Sequence, residues 1–228
     1  MPTSSYHSAR YWFVVTVVVL AIASQPASSQ FVGVSATAGG SFPVARFSDW
    51  YSTGFGSSFD IEFNLIGPVS ATLSTGYVSW PLSDNAGAAL LKQGGIPGAL
   101  ALDGKVQTVP VMIGLKYSRS TTVGYSFIAI MTGRHFMKGS ASAVYEPPAG
   151  SPVNLSVDDS WQATGLEIRI GTIIPLDYNW HIRAQASYSS ILDLKHDIIP
   201  SPQSATPAAT PPQAESVLVL VGIEFRFE

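Results

Sequence analysis

Eight separated stretches of this chain alternate apolar and polar residues with a period of two, and this constrains the fold more than any other feature. The sharpest is GSSFDIEFNLIG, Gly56 to Gly67, where Phe59, Ile61, Phe63 and Leu65 oppose Asp60, Glu62 and Asn64. In an extended strand successive side chains point to opposite faces, so such a segment has one apolar face and one polar face. Phe31 to Phe42, Val69 to Trp80, Thr108 to Ser118, Thr122 to Met131, Trp161 to Ile173, Tyr178 to Ser189 and Val217 to Glu228 repeat the pattern. They predict an all-β protein of strands that each expose one greasy side. In the segment from Thr122, the reading places Val123, Tyr125, Phe127, Ala129 and Met131 on that side.

Composition indicates what the greasy faces meet. Charged residues are 12% of the chain, against roughly 25% in ordinary soluble domains. Hydrophobic residues are 46%, so a large apolar surface needs a non-aqueous neighbour or an unusually thick core. A net charge of -3 leaves no basic footprint for nucleic acid, and the absence of cysteine excludes disulfides and thiolate metal sites. The N-terminus reads as an export signal. Arg10 precedes an apolar run from Tyr11 to Ala23, and small residues at Ala27 and Ser29 place a cut before Gln30. Residues Met1 to Ser29 are therefore expected to be removed, leaving one domain from Gln30 to Glu228. That domain has no apolar run of the ~18 residues that a membrane helix needs.

Connections between the eight segments alternate in length. Tight turns are expected at Gly67-Pro68, Ser118 to Ser120 and Pro175 to Asp177, and long loops at Pro43 to Phe55, Pro81 to Gln107, Thr132 to Ser160 and Leu192 to Glu215. Strict alternation puts all the long links at one end of an up-and-down meander, the asymmetry of outer-membrane barrels. On these residues the chain from Gln30 to Glu228 resembles the small eight-stranded outer-membrane β-barrels, the superfamily of the OmpA membrane domain and OmpX. The resemblance implies an eight-stranded antiparallel up-and-down transmembrane barrel in a bacterial outer membrane. It also implies contact with outer-membrane lipid and lipopolysaccharide, and insertion by the barrel-assembly machinery. Family members usually end on an aromatic residue, which marks Phe225 and Phe227 as the matching C-terminal assembly signal, here followed by Glu228.

Energetics orients the faces. A basic side chain facing lipid near the midplane costs roughly 2–4 kcal/mol, and several would exceed the stability of an ordinary protein, about 5–15 kcal/mol. Asp60, Glu62, Lys116, Glu167, Arg169, Arg183, Glu224 and Arg226 are accordingly expected to face inward. An eight-stranded interior is just wide enough for side chains to fill it. Four acids and four bases predict a paired network, with Glu167 or Glu62 on Arg169 or Arg183, and Glu224 on Arg226 or a neighbour. Trp80, Trp161, Trp180, Tyr77, Tyr117, Tyr178, Phe225 and Phe227 are expected in girdles at the water–lipid boundaries.

Candidate chemistry is sparse. His135, His181 and His196 have no partner at metal-ligand spacing, and no catalytic, cofactor or metal site is expected. His135, beside Arg134 and Lys138, is placed to meet lipopolysaccharide phosphates or simply to end a strand in water, whereas His181 is expected within the interior network. Ser187 or Ser189 against His181 or His196 is the arrangement a rim enzyme would need. Asp158, Asp159, Asp193 and Asp197 are acidic loop positions, read as solvated rather than calcium-binding. Asn85 to Leu102 is an apolar loop with a short helix expected from Ala86 to Gln93, and Pro200 to Gln213 is a proline-rich external segment. The preferred reading is a side-chain-filled membrane anchor presenting mobile loops, with a structural or surface-interaction role and an extracellular partner reached through those loops. The alternative is a narrow pore or conduit for small apolar molecules, motivated by the apolar loop and by Gly, Ser and Thr lining the first, third and fifth strands. A soluble lipocalin-like binder and a lipid-modifying rim enzyme rank lower.

Overall fold

The structure is a computed structural model that describes residues 32–84, 86–87, 91, 98–148, 150–192 and 213–227. The expected leader, most of the expected 86–93 helix, His196 and nearly all of the proline-rich segment lie outside the described residues. Eight strands follow in order: β1 (Val32–Pro43), β2 (Gly54–Ile66), β3 (Val69–Pro81), β4 (Ala99–Thr121), β5 (Gly124–Glu146), β6 (Val153–Pro175), β7 (Trp180–Leu192) and β8 (Ala214–Phe227). Each pairs antiparallel with the next, and β1 pairs with β8 from Val32↔Phe227 to Pro43↔Ser216, closing the sheet into a barrel. Closure satisfies the ladder hydrogen bonds of both terminal strands, which an open sheet could not do in lipid.

One end of the barrel holds the tight turns. Gly67, at φ 53, supplies the left-handed residue of the Gly67-Pro68 turn. Asp177 accepts backbone hydrogen bonds from Asn179 at 2.9 Å and Trp180 at 2.7 Å, shaping the β6–β7 turn. The expected turn at Ser118 to Ser120 is strand instead. β4 runs on to Thr121, Ser118 pairs with Phe127, and Thr122-Val123 makes the turn. Gly124, at φ 148, takes the strained position that follows it.

The opposite, loop end departs further from expectation. One of the four expected long loops, Thr132 to Ser160, is largely strand, and Pro81 to Gln107 is strand from Ala99 onward, because β4, β5 and β6 each run for 23 residues, beyond the ~9–11 that a tilted membrane strand needs. Residues Pro147–Pro152 alone connect β5 to β6. The extension escapes a membrane-strand reading of the sequence because its polarity inverts. In upper β5, Met137, Ala141 and Ala143 point inward while Arg134, Lys138 and Ser142 point outward, the pattern of a water-facing sheet. The β7 ladder starts only at Thr164↔Leu192, so among the described residues Val153 to Ala163 of β6 pair with β5 alone. A three-stranded sheet, its β6 edge unpaired among the described residues, therefore extends beyond the eight-stranded ladder.

Nearer the turn end the outward rows are apolar on every side. Ile113 and Leu115 on β4, Ile168 and Ile170 on β6, and Val221 and Ile223 on β8 are all exposed, and a belt of this extent has no place in water. β5 corrects the sequence reading. Ile128 and Ile130 face out, while Phe127, Ala129 and Met131 face the lumen. Both rows of that segment are apolar, so its alternation carries no polarity signal. The choice is settled by the lumen, where Arg183 lies 4.6 Å from the centroid of the Phe127 ring and Lys116 lies 5.4 Å from it.

Candidate functional site

The lumen is filled twice, by different chemistry at different heights. Toward the turn end the eight titratable residues singled out in the sequence come together in one network. Arg169 on β6 reaches across the lumen to Asp60 on β2 at 2.8 Å and holds Glu167, two residues before it, at 2.5 Å. Its second terminal nitrogen donates to the Ser74 hydroxyl at 2.9 Å. Arg183 on β7 lies 2.6 Å from Glu62, 3.3 Å from Glu224 and 3.5 Å from Asp60. Its Nη1, which meets Glu62 and Glu224, also lies 3.1 Å from the Ser35 hydroxyl, and its Nε donates to the Gln185 side-chain carbonyl at 2.9 Å. Lys116 pairs with Glu62, and Arg226 with Glu224 at 2.7 Å.

The physical logic is satisfaction of buried charge. All of these residues except Arg226 are almost fully buried, where an ion without a partner is costly. Each carboxylate of Asp60, Glu62 and Glu224 meets two cations or more. A guanidinium presents five donors in a fixed plane and can join three strands at once, which an ammonium cannot match. The Arg169–Glu167 and Arg226–Glu224 contacts follow from period-two spacing on one strand. Those from Arg169 to Asp60 and from Arg183 to Glu62 cross the barrel and depend on the register. The Ser and Thr lining that motivated a pore serves as hydrogen-bonding fill: Ser74 donates to Asp60 at 2.5 Å, Thr37 contacts Ser58 at 2.9 Å, and Gln185 caps that pair.

The second filling has no counterpart in the sequence reading. At the loop end a short 3-10 helix, Ala45–Asp49, follows β1 and drops Phe47 into the mouth. Phe47 packs edge-on against Trp80 with ring centroids 5.2 Å apart, and Tyr51 sits 4.5 Å from Phe47. Met137, Trp161, Ile191, Leu218 and Leu220 complete this apolar plug. Trp80 and Trp161 are thus corrected from girdle to core, at 1% and 6% exposure. The Trp80 ring N–H is accommodated by the Ser41 hydroxyl at 2.8 Å. Trp180, Tyr117, Tyr178 and Phe227 do stand exposed at the turn end. Trp180, Phe225 and Phe227 pack edge to face there with successive centroids 4.8 and 4.7 Å apart.

Of the two described histidines, His135 is sealed inside the lumen and His181 faces its turn end. His135 points into the lumen, buried, with Nδ1 3.3 Å from the Thr108 hydroxyl. It does not share the outer face of Arg134 and Lys138, and the lipopolysaccharide contact considered for it is sterically closed. His181 faces inward, but its Nδ1 engages the Asn179 carbonyl at 3.2 Å rather than an acid. The Ser187 hydroxyl is buried without a hydrogen-bond partner among the described residues, so it forms no pair with His181. Asp158 is engaged by Lys138 across the β5–β6 ladder at 3.4 Å.

Among solved structures, a major outer membrane protein from Thermus thermophilus superposes with a TM-score of 0.50 at 16% identity, over 87% of this chain and 100% of that one. The fold is that of the small outer-membrane β-barrels. Neisserial surface protein A matches with a TM-score of 0.44 at 13% identity, over 89% of this chain and 100% of its own. The attachment invasion locus protein Ail of Yersinia pestis, in complex with the heparin analogue sucrose octasulfate, matches with a TM-score of 0.44 at 12% identity, over 87% and 99%. No protein-family model and no curated protein matches the sequence.

Proposed function

We propose that this chain is an integral outer-membrane protein whose barrel is a closed anchor and whose activity resides in what it displays at the loop end. The observation that carries the reading is the double filling of the lumen, an ion-pair network below an apolar plug, together with an apolar belt outside. A protein built to pass solutes would leave a continuous polar path, whereas here Trp80, Leu220 and Met137 occupy the axis above the charges. The belt at the height of Ile168 and Leu115 supports lipid as its neighbour. The outward polar residues of the projecting β4–β6 sheet support water, with lipopolysaccharide headgroups between. In this reading the leader Met1 to Ser29 directs export, and Phe225 and Phe227, in an aromatic cluster at the turn end, serve recognition by the assembly machinery.

The displayed element is the projecting sheet. Among the described residues the Val153 to Ala163 edge pairs only with β5, and such an edge accepts an extended partner by strand addition. The role is therefore structural and interactive, not catalytic. Membrane fractionation followed by electrophoresis with and without boiling tests the assignment. The protein is expected with the outer membrane and with a heat-dependent mobility shift; recovery of native protein from a detergent-free soluble fraction overturns it.

A further inference from the structure

At its turn end the lumen opens into a cavity of about 850 Å³. Its volume is in the range of small-molecule sites, roughly 300–1,000 Å³, far more than a single ion needs. Its wall is rich in nitrogen donors. Lys116, Arg119, His181 and Arg226 line it, against Asp177 as the one carboxylate among the lining residues. Asp177 is committed to the turn, since its hydrogen bonds from the Trp180 and Asn179 amides hold its carboxyl below the usual carboxylate range.

The donors are graded in how far they are already engaged. Arg119 has no ion-pair partner among the described residues, although it stands at the rim of a chamber whose floor is formed by an ion network. Lys116 gives one contact to Glu62, and an ammonium carries three donors. The Ser118 hydroxyl, also in the lining, is shielded from water and has no hydrogen-bond partner among the described residues. Aromatic walls complete the chamber. Tyr125 lies under the Arg226 guanidinium at 4.7 Å, and Tyr178 stands at the opening.

We infer that this chamber is a binding site for a small oxyanion carried on a planar ring, such as an aryl phosphate or aryl carboxylate, entering from the side of the short turns. Arg119, Arg226 and Lys116 face the anion, and Tyr125 and Tyr178 flank the ring. Charge-assisted hydrogen bonds supply the anion's affinity, and ring stacking selects the aryl form over the bare ion. The site needs no passage through the barrel, so it stands or falls independently of whether the lumen conducts.

The test is titration of the folded barrel in a zwitterionic detergent with phenyl phosphate and, separately, with inorganic phosphate, followed by calorimetry and by amide shifts of Ser118 and Arg119. Saturable phenyl phosphate binding at one site is expected, tighter than for inorganic phosphate by about 3- to 10-fold, the gain of one aromatic pair. Arg119→Gln is expected to weaken it about tenfold, in line with one charge-assisted hydrogen bond, with the heat-dependent gel shift unchanged. Arg226→Gln, which also touches the network, is a second variant and should weaken binding at least as much. Absence of saturable binding by a sample that shows the gel shift overturns the proposal. So does binding that neither variant weakens, which places the anion elsewhere, or binding in which inorganic phosphate equals the aryl form, which removes the ring from the site.

Discussion

Replacing Arg183 with methionine removes the cation on which the network is centred while keeping most of the volume of the side chain. Arg183 touches Glu62 at 2.6 Å, Glu224 at 3.3 Å and Asp60 at 3.5 Å. Removing one partner of a buried ion pair typically costs about 3–5 kcal/mol. Two considerations adjust that figure here. Each carboxylate keeps another cation: Asp60 keeps Arg169, Glu62 keeps Lys116 and Glu224 keeps Arg226. Against this, the lumen is left with four acids and three bases, and the contact with the Phe127 ring, worth up to ~2 kcal/mol when desolvated, is lost as well. The expected destabilisation is therefore ~3–5 kcal/mol, a large part of the ~5–15 kcal/mol of a typical fold. Reversible urea unfolding in phospholipid vesicles, read by intrinsic fluorescence and gel mobility, measures it. The double variant with Glu62→Gln should be less unstable than the sum of the two single losses, by ~0.5–3 kcal/mol for residues in contact. A loss below ~0.5 kcal/mol in Arg183→Met, the range of a surface substitution, or strictly additive losses, would refute the network as a cooperative unit.

The apolar plug, the belt and the turn have their own tests. Trp80→Ala should cost about 3–5 kcal/mol by the same unfolding measurement, as for other large core aromatics, whereas a girdle tryptophan would cost far less. Ile168→Arg, on the belt, should lose roughly 2–4 kcal/mol, while Gln162→Arg, outward on the projecting sheet, should stay within about 0.5 kcal/mol. Equal losses for the two would misplace the membrane boundary. Asp177 has its folded carboxyl value held low by two backbone amides, so the stabilisation is fully present above the ordinary carboxylate value and fades as pH falls through the folded one. The stability gap between wild type and Asp177→Ala should accordingly shrink in acid, and a gap that widens there contradicts the turn's hydrogen bonds.

How much of this is legible in the sequence follows from where polarity alternates. β2 declares its faces through Asp60 and Glu62, and β6 through Glu167 and Arg169, because a charge has one tolerable side in a membrane. β5 between Gly124 and Met131 has no charge, so its pattern points the wrong way; Phe127 is the aromatic platform beneath Arg183 and Lys116 rather than a lipid-facing residue. The upper halves of β4, β5 and β6 look like loops in sequence because small and apolar residues there point in and polar ones out, the reverse of the membrane rule. β8 shows both rules in a single strand. Its inward row passes from Leu218 and Leu220 in the plug, through Gly222, to Glu224 and Arg226 in the network. Membership of the network can be read from sequence. Its cross-barrel pairs cannot, since Arg169 finds Asp60 over 109 residues of chain through the register of the closed sheet.

Planar-bilayer recording of the folded protein decides whether the barrel is closed at two heights. No conductance steps are expected in wild type. None are expected in Arg183→Met either, because the plug of Phe47, Trp80 and Leu220 remains above the altered network. Ohmic single-channel steps from a sample that shows the heat-dependent gel shift would contradict that closure.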